Sequence, residues 1–142
     1  HCPFVKHIRA ELARLPREYA AKGLATVAIC SNDPVSHPAD GPGPMKQEAI
    51  DAGYTFPYLH DSEQRIARAF DAACTPDFFL YDGARRLVYR GQLDSSRPGI
   101  NLPVDGADLR AAIDAVLAGR APSPEQKPAI GCSIKWRADA VA

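Results

Sequence analysis

Apolar and polar positions change rhythm several times along the chain, and each rhythm predicts an element. Over residues 3–22, Phe4, Ile8, Leu12, Leu15 and Tyr19 recur at spacings of three and four, which is one apolar helical face closed by Gly23. Pro16 lies inside this run and removes a backbone donor, so a kink or break is expected near Leu15. LATVAIC, residues 24–30, is short, apolar on both faces and bounded by the turn-forming SNDP; it reads as a buried strand of a parallel sheet. Proline and glycine are too dense in SNDPVSHPADGPGP for a regular element, so residues 31–44 form a long loop of the kind that often carries function. A short helix over 45–52 stops at Gly53, and YTFPYLHD is an extended segment interrupted by Pro57. Ser62 reads as the N-cap of a helix reaching Phe70, with Asp61 adding negative charge at its start. DFFLYD and RRLVYRGQ predict two antiparallel strands joined by a tight turn at Asp82 and Gly83. Leu109, Ile113, Val116 and Leu117 mark a last helix over 105–117, closed by Gly119. The proline-rich remainder is an extended tail in which Ile130, Ile134 and Trp136 are expected to dock.

At 142 residues the chain suits one domain with its own core. Its 17 basic and 17 acidic residues cancel, which removes the broad field that a nucleic acid backbone or anionic membrane surface requires. No apolar run approaches the roughly 18 residues of a membrane span, and the start lacks the layout of a secretory signal, so a soluble chain is expected; the balanced charge and scattered thiols suit a cytoplasmic location. The four cysteines, Cys2, Cys30, Cys74 and Cys132, lack metal-ligand spacing, and no zinc site or other cofactor is expected. Each also reads as a small buried hydrophobe with an inert thiol, most comfortably Cys30.

Cys2 departs from that description because Pro3 follows it. A cysteine at an N-cap, with proline at the first helical position, places its sulfur near free backbone N–H groups and the positive end of the helix dipole. Such a sulfur is exposed and favoured as thiolate, the form that attacks a disulfide or a peroxide. On Cys-Pro alone, a capping cysteine of ordinary reactivity is the simpler reading. His1 adjoins the thiol, either as a cation or proton carrier or as an exposed residue with no set role. His7, His37 and His60 read as surface residues.

The predicted order, helix, strand, helix, β-hairpin and final helix, matches the later part of a thioredoxin fold with one strand missing. HCPFVK, SNDP, GYTFPYL, ACTPDFFLYD, LVYRGQLD, SRPG, GADLRAAIDAVLAG and QKPAIGCSIKW together resemble a peroxiredoxin-like, AhpC/TSA-related group of thioredoxin-superfamily proteins. The resemblance implies an α/β thioredoxin-like fold, a mixed sheet flanked by helices, over residues 1–119, with residues 120–142 as the docking tail. It makes His1 and Cys2 the third and fourth positions of a Cys-Asn-His-Cys-Pro motif, whose first cysteine and central strand would lie upstream. A longer polypeptide or another segment is then expected to supply that strand, since a central ladder cannot stay unpaired.

The resemblance also places Thr75 and a cis Pro76 against the active cysteine, where the backbone before the proline pairs with an extended substrate. Cys2, His1, Thr75 and Pro76 are thus the expected catalytic residues. Cys74 and Cys132 are both candidate resolving thiols, between which the sequence does not decide, and Arg97 is a weaker candidate for holding an anionic group. The implied function is thiol-disulfide exchange or thiol-dependent peroxide reduction, an antioxidant type of chemistry in which the upstream motif residue is a further candidate partner of Cys2: a cysteine there favours exchange, a threonine peroxide reduction. Its partners would be a protein disulfide or a peroxide and an external thiol reductant. Two alternatives stand beside it: a copper-binding module using His1, Cys2 and an upstream cysteine, and a non-catalytic thioredoxin-like binding domain.

Overall fold

The helical face predicted over 3–22 builds two helices, α1 (Pro3–His7) and α2 (Arg9–Ala20), in the computed structural model, which describes residues 1–140. Positions 141 and 142 of the predicted tail lie outside the described residues. The break falls at Ile8, whose N–H turns back to the Val5 carbonyl at 3.2 Å, and not near Leu15. Pro16 stays inside α2 on its buried side with Leu15 and Tyr19, where packing offsets the single missing backbone donor.

The described residues form two compact units. The first comprises His1, residues 12–73 and the chain from 133 onward. Its strands β1 (Ala28–Cys30) and β2 (Tyr58–His60) pair in parallel, with Ile29 opposite Leu59. Parallel pairing was expected for LATVAIC, but only three of its residues are in the strand. Its outer face is open as well, with Val27 54% and Ile29 38% exposed. The 31–44 stretch is less irregular than predicted: Pro38–Asp40 is a 3-10 turn and α3 (Pro42–Ala52) begins three residues before Met45, because proline is well suited to the first helical positions. Gly53 closes α3 at φ 72°, in the left-handed region that glycine adopts without a Cβ penalty.

Helix α4 (Arg65–Ala69) is shorter than predicted and Ser62 is not its cap. Asp61 caps it, accepting hydrogen bonds from the Ala67 N–H at 3.0 Å and from the Ser31 hydroxyl at 2.8 Å. Gln64 precedes the helix at φ 60°, a conformation that costs energy for a non-glycine residue. Its amide offsets that cost. Nε2 donates to the carbonyls of Ser31 and Lys135, at 2.7 and 3.0 Å, and Oε1 accepts from the Arg137 N–H at 3.0 Å. Asn32 adds to the same anchorage by accepting from the Lys135 N–H at 2.9 Å. Of the three predicted tail anchors only Ile134 is buried; Ile130 and Trp136 are 57% and 40% exposed, Trp136 lying against the Arg68 guanidinium. Polar backbone anchorage therefore replaces much of the expected apolar docking.

The second unit, residues 2–11 and 74–132, holds β3 (Phe78–Tyr81) and β4 (Leu87–Gly91), an antiparallel hairpin with a bulge between Leu80 and Tyr81. Its turn is longer than the predicted two residues. The Asp82 carboxylate accepts from the N–H groups of Ala84 and Arg86, which holds the intervening residues. Helix α5 (Ala107–Leu117) contacts both strands and buries Ala112 and Ile113. Glu11, fully buried, pairs with Arg110 at 2.7 Å within this unit. The mixed α/β architecture is the class expected, expressed among the described residues as two separate two-stranded sheets.

Asp94 organises the connection from β4 to α5. Its carboxylate accepts from the Ser96 N–H and hydroxyl and from the N–H groups of Asp105 and Gly106, at 2.5–3.0 Å. Burial alone would raise its pKa, but these hydrogen bonds outweigh it and hold the carboxyl below the usual aspartate value. The stabilisation is therefore present above the unfolded aspartate value of about 3.9 and is lost as pH falls through the lower native value. Asp94→Asn should cost about 2 kcal/mol near neutral pH in urea unfolding, and the gap to wild type should close as pH drops below about 4.

Candidate active site

Cys2 caps α1 as the Cys-Pro pair predicts. Pro3 is the first helical residue, and the Cys2 carbonyl accepts from the N–H groups of Val5 and Lys6 at 3.1 and 3.0 Å. The sulfur itself makes no capping hydrogen bond. It is bonded to Cys132 in a disulfide that joins residues 130 positions apart, with Cα atoms separated by 6.3 Å. The exposed sulfur expected from the sequence is absent from this oxidised form, in which Cys2 is only 3% exposed. Its sulfur is taken up by Cys132.

The segment carrying Cys132 is held by main-chain pairing. The Thr75 N–H donates to the Cys132 carbonyl and the Cys132 N–H to the Thr75 carbonyl, both at 2.9 Å, forming an isolated antiparallel bridge. The Thr75–Pro76 peptide bond is cis. Cys2 Sγ lies 3.4 Å from the Thr75 carbonyl oxygen. Cys2, Thr75, Pro76 and Cys132 thus converge in the second unit.

Two glycines allow the backbones to meet. A Cβ at Gly131 would stand 2.6 Å from the Thr75 carbonyl carbon and closer still to its oxygen. At Gly91 a Cβ would stand 3.3 Å from the Lys127 carbonyl carbon, again with the oxygen nearer. The Gln92 N–H donates to that Lys127 carbonyl at 3.0 Å, and the Gln126 side chain bridges the Arg90 N–H and the Val88 carbonyl. Gly131 and Gly91 were not singled out from the sequence. A glycine directly before a cysteine, away from any predicted turn, was the available signal.

The other thiols are differently placed. Cys74 is free, and its Sγ donates to the Pro76 carbonyl at 3.5 Å. Burial, reinforced by the charge of Asp77, pushes its pKa up. Cys30 is free as well, in the first unit, and burial raises its pKa too. Neither environment favours a thiolate.

Arg97 spends its donors on its own loop, reaching the carbonyls of Asp94 and Ser96 and the Gln92 side chain at 2.6–2.9 Å. It also lines a cavity of about 20 Å³ with Phe4, His7, Pro76 and Ile130, room for about one water. The surface reading of two histidines needs correction, since Nε2 of both His7 and His60 is buried, without a hydrogen-bond partner among the described residues. His1 belongs to the first unit, where its ring pairs with Asp40 and stacks on His37 at 4.6 Å between centroids. Asn32 donates to the same Asp40 carboxylate at 2.9 Å. Among the described residues no three His, Cys, Asp or Glu side chains are grouped to hold a metal ion.

The AhpC/TSA family model matches residues 1–90. The chain belongs to the AhpC/TSA family. This is a group of thioredoxin-like peroxidases and oxidoreductases, and the chain is a peroxiredoxin-like member of the thioredoxin superfamily. Two solved structures are similar over nearly its whole length. An uncharacterized conserved protein from Geobacillus kaustophilus is 55% identical, with a TM-score of 0.95 over 97% of this chain and 73% of that one. A hypothetical protein from Sinorhizobium meliloti 1021 is 54% identical, with a TM-score of 0.96 over 97% of this chain and 75% of that one. No curated protein matches. The AhpC/TSA match ends before Gln126 to Cys132, so the segment that carries Cys132 lies beyond the part of the chain shared with the family model.

Gly131→Ala should separate residue 131 from Thr75 and misplace Cys132. In a thiol-disulfide buffer the Cys2–Cys132 equilibrium should shift toward the dithiol by on the order of tenfold or more, read by alkylation and mass spectrometry.

Proposed function

We propose that this member of the AhpC/TSA family is a thiol-dependent oxidoreductase in which Cys2 is the attacking thiol and Cys132 the resolving one. The observation that carries the proposal is the Cys2–Cys132 disulfide held on the Thr75 backbone, with Cys30 and Cys74 left free. In the reduced protein the Cys2 thiolate attacks one sulfur of a substrate disulfide and displaces the other as a thiolate. Cys132, deprotonated, then attacks Cys2 Sγ, forms the intramolecular disulfide and releases the second substrate thiol. Two electrons pass from the dithiol to the substrate. With a peroxide the Cys2 thiolate attacks one oxygen, the O–O bond breaks and water or an alcohol leaves, which makes Cys2 a sulfenic acid; attack by Cys132 then expels that oxygen as water. An external thiol reductant restores the dithiol in either case.

Pro3 and the short α1 support the activation of Cys2, because a sulfur at a helix start stands at the positive end of the helix dipole. His1, adjacent to Cys2 in sequence, is the candidate proton carrier. Thr75 presents the backbone edge and Pro76 ends it, because proline has no N–H to offer. No helix among the described residues is long and apolar enough to cross a membrane.

The test treats the reduced protein with one equivalent of hydrogen peroxide or of an oxidised peptide disulfide and maps every cysteine by mass spectrometry. Cys2→Ser should abolish turnover. Cys132→Ser should halt the cycle at a mixed disulfide or sulfenic acid on Cys2. A Cys2 that stays as unreactive as Cys30 under both oxidants removes the redox function and leaves a binding domain.

A further inference from the structure

We infer that residues 126–132 are a built-in substrate, and that the external substrate of Cys2 is a polypeptide whose cysteine follows a glycine. This rests on the redox reading above and narrows it. Cys132 exchanges both of its backbone hydrogen bonds with Thr75 while its sulfur is bonded to Cys2. An extended polypeptide caught by Cys2 in a mixed disulfide would use the same two backbone groups, the usual way a free strand edge recruits a partner chain. The tail therefore occupies the position that the substrate needs.

Its geometry states what fits there. With a cysteine in the position of Cys132, the preceding residue lies where Gly131 lies. A Cβ at that point meets the Thr75 carbonyl group and comes within 3.1 Å of the Pro76 nitrogen. These are backbone atoms of the loop and cannot rotate aside as a side chain would. Upstream, Gly91 leaves room for the Lys127 carbonyl, and Gln126 spans the edge of β4, so the docked tail is pinned for several residues before the cysteine. A peroxide gains nothing from this edge, so the edge favours a polypeptide disulfide as substrate.

The cycle then alternates between two occupants. In the dithiol form the tail leaves Thr75 and the substrate pairs there. Cys2 attacks the substrate sulfur and displaces its partner as a thiolate; once the substrate backbone has let go of Thr75 with the mixed disulfide still intact, Cys132 returns, attacks the Cys2 sulfur and displaces the second substrate thiol. The oxidised protein is closed to further polypeptide until its disulfide is reduced.

The probe is the peptide of residues 128–134, Pro-Ala-Ile-Gly-Cys-Ser-Ile, activated at its cysteine as a mixed disulfide with 5-thio-2-nitrobenzoate. It is offered to the reduced full chain carrying Cys132→Ser. Cys2 should displace the coloured aryl thiolate and retain the peptide, with the modified cysteine confirmed by mass spectrometry. Capture should be at least on the order of tenfold faster than for the same peptide with alanine in place of its glycine. Adding Gly131→Ala to the Cys132→Ser chain should speed capture of the glycine peptide further, because the tail no longer competes. Equal rates for the two peptides would overturn the inference. The symmetrical aryl disulfide serves as a substrate that needs no strand edge. If it modifies Cys2 while the peptides show no preference, the redox function stands and the built-in substrate falls; if it leaves Cys2 untouched, the redox function itself falls.

Discussion

The close approach of one backbone to another at Gly131 is the constraint on which the site depends. A disulfide needs its two Cα atoms within about 7 Å, and Cys2 and Cys132 are 130 residues apart in the chain. Local structure cannot bring them together. The Thr75 bridge does so by fixing both hydrogen bonds of Cys132, and it exists because residue 131 has no side chain to hold the strands apart. Closing so long a loop also restricts the unfolded chain, by about 4–5 kcal/mol in the entropic account, so redox state and stability are coupled.

Buried polar side chains do much of the remaining positioning. Asp94 fastens the β4–α5 connection, and Arg97 is tied into the same loop through Gln92. In the first unit Gln64 and Asn32 hold the chain at Lys135 and Arg137, with the Asp33 N–H donating to the Lys135 carbonyl at 2.8 Å. Leaving such groups buried and unpaired would be costly, so their hydrogen bonds select one path for segments that have little regular structure. The final segment follows that logic, which is why it can be ordered while Ile130 and Trp136 remain largely exposed.

The four thiols show how environment separates residues that are identical in composition. Cys30 and Cys74 lie where burial disfavours the charged form. Cys2 stands at a helix start and Cys132 on a paired backbone, and these two are joined. Family membership concerns chemistry of this kind in general, whereas the pairing of these two sulfurs belongs to this chain's own geometry.

Periodicity and punctuation determined the elements: the apolar spacing of α2 and α5, the closing glycines Gly53 and Gly119, the hairpin around Asp82 and Cys-Pro at the start of α1 were all legible in the sequence. Cys2, Thr75 and Pro76, which the fold brings together, could also be singled out there, because the motif residues lie in short contiguous stretches. Where helices divide was less legible, since Ile8 and Pro16 compete through packing that spacing does not encode. The extent of β1 was hidden as well, because an apolar run looks the same whether both of its faces are covered or one is open. Which of Cys74 and Cys132 meets Cys2, and why Gly131 matters, depended on contacts between residues dozens of positions apart. Such contacts are settled only when the chain closes on itself, since local preference acts over a few residues and disulfide pairing depends on where whole segments come to rest.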